Sequence, residues 1–239
     1  MAAAYARHRP RYPRRLTAYL AALAPGRALA WDCATGNGQV AVALAARFAA
    51  VVATDASAAQ LARARAHPRV RYFVAQERAP MLASGSVDLV TTAQALHWLE
   101  RASFYAEATR VLRPGGVIAL WCYARPRVRR GVDAVIDRLC DRVVGPFWPP
   151  ERALVEAGYA SLALPFEELQ APRFDMRAFW SLAQFEGYVD TWSSAQAYRL
   201  AHGRSPVAAV HDDLAAVWGC ARQRTVRWPL HLRVARVRG

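Results

Sequence analysis

Trp31-Asp32-Cys33-Ala34-Thr35-Gly36-Asn37-Gly38-Gln39 is the stretch that decides the fold. It stands between a short apolar run and an alanine-rich helical pattern, so it reads as the turn from a strand into a helix. Glycine is needed in such a turn because the backbone bends tightly and a ligand approaches to contact distance. Gly36-Asn37-Gly38-Gln39-Val40-Ala41 also satisfies the G-x-G-x-x-[GA] dinucleotide spacing. The glycines alone therefore leave the ligand open, and a plain glycine turn before a helix is equally admissible. Working outward, residues 27–32 read as a first strand, 39–48 as a helix and 51–54 as a second strand. Residues 58–67 read as a helix ending at Pro68, 70–74 as a β-branched and aromatic third strand, and 87–92 as a fourth strand behind Ser84-Gly85-Ser86. A helix over 101–112 stops at Arg113-Pro114-Gly115-Gly116, and 117–123 makes a fifth strand. Strands alternating with helices at this interval predict a parallel α/β sheet covered on both faces.

Two carboxylates narrow the ligand. Asp55 closes the second strand, where an acidic side chain can accept both hydroxyls of a ribose. That argues for an adenosine ligand without choosing among them; as a lone strand-end aspartate it also fits a helix cap shared with Ser57. Asp32 ends the first strand, directly before the loop. A carboxylate there repels a pyrophosphate but suits the ammonium end of a methionine moiety, reached directly or through the loop amides and water. S-adenosylmethionine is thus favoured over NAD, and the chain after Tyr123 is too short for a typical separate dehydrogenase domain.

The chain has 239 residues, 54% hydrophobic and 21% charged, enough to bury a full core in one domain with an inserted cap. No apolar run reaches the length of a membrane span. Arg14-Arg15, the apolar stretch 16–24 and Ala28-Leu29-Ala30 imitate a secretory signal. Leu16, Tyr19, Leu20 and Leu23 instead fall on one helical stripe, and cleavage after Ala30 would cut the first strand. The helix is the better reading, and with it a cytoplasmic protein. Cys33, Cys122, Cys140 and Cys220 are scattered and read as reduced, buried small hydrophobes, with neither a disulfide framework nor a metal site. The formal charge of +14 comes from 32 basic residues, all arginine. With so much alanine this reads as compositional, solvated surface charge rather than a nucleic-acid surface, although an anionic substrate is compatible with it.

After Tyr123 the character changes. Residues 125–130 read as a basic connector and 132–143 as helical. Gly145-Pro146-Phe147-Trp148-Pro149-Pro150 reads as irregular, and the region around Trp180, Phe185, Tyr188, Trp192 and Tyr198 as a mostly helical cap. Leu230, Leu232 and Val234 alternate with His231, Arg233 and Ala235, so 225–237 reads as a half-solvated closing strand. Pro229 places that strand or its start at an edge.

The sequence resembles the class I methyltransferases, in particular the subgroup that includes trans-aconitate methyltransferase. Asp32 to Gly38 is similar to the family's D-x-G-x-G-x-G loop, with Ala34 in place of its first glycine, which is sterically easy if its φ is negative. Asp55 is similar to the ribose-binding acid. Ser86-Val87-Asp88-Leu89-Val90 with Ala93-Gln94-Ala95-Leu96-His97-Trp98, and Arg110-Val111-Leu112-Arg113-Pro114-Gly115-Gly116, resemble later landmarks. So do Tyr5-Ala6-Arg7-His8-Arg9-Pro10-Arg11-Tyr12-Pro13, Gly187-Tyr188, Thr191-Trp192-Ser193 and Trp228-Pro229-Leu230. The resemblance covers nearly the whole chain. It implies a doubly wound, seven-stranded, mostly parallel Rossmann-like sheet with its last strand antiparallel. It also implies a single methyltransferase domain over 1–239: lid and helix at 1–26, cofactor core at 27–124, cap and late core elements at 125–224, closing strand at 225–239. S-adenosyl-L-methionine would be the methyl donor, with no metal.

Tyr5, Arg9 and Tyr12 are expected over its methionine end, Asp32, Ala34, Gly36 and Gly38 around it, and Asp55 at the ribose. Gln76 and Glu77 stand where relatives place an aspartate against adenine, and Ala93 and Gln94 lie beneath the cofactor. His97 is the candidate general base; a hydrogen-bonded histidine beside Trp98 is the alternative. Arg125, Arg127 and Arg173 are conceivable counter-charges for a carboxylate. The expected activity is methyl transfer to a small molecule, a carboxylate or hydroxyl oxygen, by a monomer or homodimer. The rivals are an RNA methyltransferase and a cofactor-binding regulator without catalysis.

Overall fold

The computed structural model describes residues 10–237, which fall into two compact units. The larger comprises Tyr12–Ala124, Ala153–Phe174 and the chain from Leu230; the smaller contains Arg125–Arg152 and Asp175–Pro229.

The larger unit opens with α1 (Arg14–Leu23), which buries Leu16 and Leu20 completely. The stripe expected there is thus the buried face of a helix. β1 (Leu29–Cys33), α2 (Gln39–Ala45), β2 (Ala50–Asp55), α3 (Ala58–Leu61) and β3 (Val70–Val74) follow. Then come β4 (Val87–Ala93), a 3-10 turn at Leu96–Trp98, α4 (Arg101–Val111) and β5 (Leu112–Tyr123). β4 is buried on both faces, as an interior parallel strand must be, which is why its sequence is nearly unbroken in apolar and threonine residues.

α3 is far shorter than the helix expected over 58–67. The chain leaves helical geometry after Leu61, and the Arg65 N–H donates instead to the Asn37 carbonyl at 3.3 Å. Arg113 to Gly116 form a bulge of β5: Val87 pairs with Leu112 but Leu89 already with Val117, and Gly115 has φ +73°.

The smaller unit contains α5 (Arg130–Arg138), continued by a π-turn at Leu139–Val143. α6 (Arg152–Glu156) and β6 (Glu167–Leu169) come next, essentially within the larger unit. β7 (Phe174–Trp180), α7 (Leu182–Val189), α8 (Ser193–His202) and α9 (His211–Trp218) follow, and β8 (Arg224–Arg236) closes the sequence of elements.

The sheet has eight strands in the order β3-β2-β1-β4-β5-β8-β6, with β7 paired to β8 off that path. β1 to β5 are mutually parallel, while β8 runs antiparallel to β5 and β6. Seven strands were expected and six were located by residue number; β6 and β7 are the two not located, one more than the expected total, and they lie in the stretch read as a mostly helical cap with late core elements. β8 is not an edge strand, since β5 and β6 flank it. Pro229 is tolerated because the β5 register begins one residue later, at Leu230.

Asp88 anchors the start of the sheet. Fully buried, it accepts hydrogen bonds from the Ala28 and Leu29 N–H groups at 2.8 and 2.9 Å and pairs with Arg113 at 3.0 Å. Glu100 caps α4, accepting from the Ala102 and Ser103 N–H groups. Cys33, Cys122 and Cys140 are buried as expected, whereas Cys220 is exposed.

The arginines are not simply solvated either. Arg110 donates to the Leu82 and Ala79 carbonyls, and Arg224 to the Trp218 carbonyl. No helix among the described residues is long and apolar enough to cross a membrane.

Candidate cofactor and acceptor site

Strand order reverses between β1 and β4: from β1 the sheet grows one way to β2 and β3, and the other way to β4 and β5. In open α/β sheets the crevice beyond the strand C-termini at such a switch point receives ligands. Backbone strain collects at this place. Among the described residues three non-glycine residues have positive φ, and two of them, Ala34 (φ +55°) and Gln94 (φ +56°), directly follow β1 and β4. Left-handed backbone disfavours an L side chain and persists where the surroundings impose it. The condition under which alanine sits there easily, a negative φ, is not met: the loop keeps the glycine conformation although alanine occupies it. The surroundings that hold it include the Thr35 N–H, bonded to the Thr54 carbonyl at 2.9 Å, and the Gly38 N–H, bonded to Thr35 at 3.0 Å. Gln94 is fixed by its N–H to the Trp121 carbonyl (2.7 Å) and by its Oε1, which accepts from the Tyr123 N–H at 2.8 Å.

Asp32 is 1% exposed at the end of β1. Its Oδ2 accepts from the Thr35 hydroxyl at 2.5 Å and its Oδ1 from the Thr91 hydroxyl at 2.7 Å, so it joins the loop to β4. Burial pushes its carboxyl up to about 6, against bonds from Thr35, Thr91 and the Ala41 backbone that favour the ionised form; the neighbouring Asp55 charge adds to the rise. With both oxygens engaged by hydroxyls, Asp32 acts on a ligand chiefly through its field and through the loop it holds.

Asp55 at the end of β2 accepts from the Gly36 N–H at 2.7 Å and the Ser57 N–H at 2.8 Å. One carboxylate thus fastens both the glycine loop and the start of α3. Ser57 is the actual cap of α3, accepting from Gln60 N–H at 3.3 Å.

Gly36 and Gly38 have φ +59° and +78°. A Cβ at Gly38 would overlap the Tyr72 hydroxyl, whereas one at Gly36 would meet nothing within 4 Å. Gly38 is required by packing, and Gly36 faces open space beside Asp55. This fits an adenosyl ligand: the backbone can be approached at Gly36, and the Asp55 carboxylate retains lone pairs for two hydroxyl donors.

Gln76 and Glu77 follow β3. The Gln76 carbonyl accepts from the Cys33 thiol at 3.7 Å, and the Glu77 charge, with burial as the main cause, helps push that thiol up, so both lie beside the end of β1. Ala93 ends β4 in register with Trp121, and Tyr12 packs edge-on against Trp121 with ring centroids 5.5 Å apart. Tyr5 and Arg9, expected in a lid, lie outside the described residues.

His97 sits in the 3-10 turn after β4, 8% exposed, its ring 4.8 Å from that of Trp98. Its Nδ1 lies 2.7 Å from the hydroxyl of Tyr159, which is wholly buried. Tyr159 is the third of the non-glycine residues with positive φ (+62°). Arg233 on β8 holds it in place, donating to the Tyr159 and Leu162 carbonyls at 2.7 and 2.5 Å while its other nitrogens pair with Glu168 at 2.8 Å. Sequence reading missed Tyr159 because its pairing spans 62 positions; Gly158-Tyr159 was the only local signal of an unusual turn.

In the smaller unit, Arg125 pairs with Asp141 at 2.7 Å and Arg127 with Asp137 at 2.8 Å, so both guanidiniums already have carboxylates. Tyr188 and Trp228 are a packed pair. The Trp228 indole N–H donates to the Tyr188 hydroxyl at 3.0 Å, and Trp180 and Trp192 stack around them. Among the described residues no group of three or more His, Cys, Asp or Glu could hold a metal ion.

A doubly wound sheet with a glycine loop and a strand-end acid at its switch point is the architecture of nucleotide-binding α/β proteins. Comparison with known proteins states the class. Residues 31–120 match the family model described as a methyltransferase domain. The fold superposes with a TM-score of 0.91 on a protein of Anaeromyxobacter dehalogenans described as a type II methyltransferase. That protein is 43% identical, with 97% of this chain and 99% of the other covered. A Dictyostelium discoideum protein bearing a methyltransferase name is 28% identical over 86% of this chain and 81% of its own. The methyltransferase cfoB of Aspergillus candidus is 30% identical, over 58% of this chain and 50% of its own. The chain belongs to the class I S-adenosylmethionine-dependent methyltransferases, and it is an enzyme whose methyl donor is S-adenosylmethionine.

Proposed function

We propose that this methyltransferase acts on a small-molecule acceptor and methylates oxygen, of a carboxylate or a hydroxyl, in the manner of the trans-aconitate methyltransferase subgroup. Asp55 would take the ribose hydroxyls, Gly36 and Gly38 the backbone approach, and Gln76 or Glu77 the adenine edge. Ala34, Ala93 and Gln94 would line the methionine side, with Asp32 supplying negative field. Tyr5, Arg9 and Tyr12 would close over it, Arg9 by a bidentate contact to the cofactor carboxylate. When bound, the cofactor supplies an electrophilic methyl on sulfonium. In-line transfer then depends on how the acceptor is positioned, and His97 is the group we assign beside it. Residues 125–224 would form the cap and substrate region of a single domain in a cytoplasmic monomer or homodimer.

The observation that supports the cofactor placement is the convergence of strain and buried charge at one switch point: Ala34, Gln94 and Asp32 follow or end adjacent strands. The test is incubation of the protein and labelled S-adenosylmethionine with fractionated metabolites and, separately, with total RNA. Label in a low-mass acid or alcohol is expected. Label only in RNA, lost at high salt, would replace the reading.

A further inference from the structure

We propose that Tyr159 is a positioning residue that holds His97 with its hydrogen on Nε2, so that His97 serves the acceptor as a hydrogen-bond donor and not as its base. The inference rests on the placement of His97 beside the acceptor in the reading above.

The argument is an accounting of one proton. A tyrosine hydroxyl has one hydrogen to give and lone pairs to receive. The Tyr159 hydroxyl stands 2.7 Å from His97 Nδ1 and lies against the start of the 3-10 turn at Leu96–Trp98. The hydroxyl is wholly buried, and His97 Nδ1 is the partner the described residues give it. Were Nδ1 to carry the hydrogen and donate, the hydroxyl's own hydrogen would be buried without an acceptor, so that hydrogen goes to Nδ1. Burial pushes the phenol well above its ordinary range, so it stays protonated and keeps donating. A neutral imidazole that accepts at Nδ1 carries its hydrogen at Nε2.

The arrangement is braced from behind. Arg233 fixes the Tyr159 carbonyl at 2.7 Å, and Gly158, whose added Cβ would strike the His231 ring, permits the turn. Tyr159 itself holds left-handed backbone (φ +62°), a conformation that persists where its surroundings impose it.

The chemistry follows from the tautomer. If the acceptor oxygen is already anionic, the O–CH3 bond forms as the S–CH3 bond breaks. The bonding pair returns to sulfur, leaving the neutral thioether, and no proton has to leave. A neutral hydroxyl must shed one, and with Nδ1 taken by Tyr159 and Nε2 carrying hydrogen, His97 has no lone pair to receive it. The site therefore selects an acceptor that brings its own oxyanion, which an Nε2–H can orient.

The test is the tautomer itself, read by 15N NMR of the full-length, histidine-labelled protein, with the His97 signals identified by their loss in His97→Gln. Protonated Nε2 and bare Nδ1 are expected, with both tautomers populated in Tyr159→Phe. A hydrogen on Nδ1 in the wild type overturns the proposal, and needs no Tyr159 variant to fold. Turnover is then compared on a panel of carboxylic acids and phenols with labelled S-adenosylmethionine. His97→Gln, which keeps an N–H near the Nε2 position, is expected to retain about a tenth of wild-type kcat/KM, and His97→Ala about a hundredth. A rate that rises through a histidine-like ionisation, and loses that rise in His97→Gln, would show a base and overturn the proposal. Wild-type turnover by His97→Ala, whatever the tautomer, would overturn the underlying placement of His97 instead.

Discussion

The C-terminal ends of β1, β2 and β4 and the aromatic cluster of the smaller unit were both conspicuous in the sequence, but they are built on opposite principles. At the strand ends, Asp32 is charged and buried, Ala34 and Gln94 hold left-handed backbone, and Gly36 leaves an opening. Each feature costs folding free energy. Around Trp228 the rings of Trp180, Tyr188 and Trp192 interlock, and the Trp228 N–H is satisfied by Tyr188. There every contact stabilises. The same kind of motif match therefore carries different meaning: Asp32 to Gly38 marks a place under tension, whereas Gly187-Tyr188 and Trp228-Pro229-Leu230 mark packing.

The largest effect that sharpens this contrast is in the aromatic cluster. Trp228→Ala should destabilise by about 3–5 kcal/mol in urea unfolding, as for other buried aromatic truncations. A loss below about 1 kcal/mol would mean the cluster is loosely packed. Next is the pH dependence carried by Asp32. Its folded carboxyl, at about 6, lies above its unfolded value of about 3.9. The associated stability is therefore fully present below pH ~4 and is lost as pH rises through about 6, amounting to about 3 kcal/mol for the roughly two-unit rise. Asp32→Asn should remove this component, so the variant gains on the wild type between pH 4 and 7 when urea midpoints are compared. A constant difference across that range would break the account of Asp32.

A smaller effect is expected at Asp55. Asp55→Ala should weaken S-adenosylhomocysteine binding about ten- to a hundredfold, from the loss of charge-assisted hydrogen bonds worth roughly 1.5–3 kcal/mol. Because Asp55 also fastens Gly36 and Ser57, thermal stability should fall with affinity. The smallest effect is at Ala34, where Ala34→Gly relieves the steric cost of φ +55° and should stabilise by up to about 1 kcal/mol, a few degrees in Tm. A destabilised Ala34→Gly protein would mean the loop is not strained.

Local patterns in the sequence correctly foretold most of what positions the site. Alternation from β1 to β5, the loop between β1 and α2 and the acid ending β2 follow from period, turn chemistry and spacing, all short-range. The φ of Ala34 escaped because it is imposed by neighbours, not by alanine's own preference. β7 escaped because crowded aromatics in the region suggested helices, although Phe174, Met176, Ala178 and Trp180 alternate with Asp175, Arg177 and Phe179 as a strand should. Tyr159 escaped because a contact with His97 across 62 positions leaves no local trace.

The central claim is that the β1 loop, with Asp32 at its head and Asp55 beside it, is built for an adenosyl ligand carrying a methionine moiety. Calorimetric titration of the full-length protein with S-adenosylmethionine, S-adenosylhomocysteine and NAD tests it most directly. One site taking both adenosyl ligands, with no binding of NAD, is the predicted result; tighter binding of NAD than of either would contradict the account.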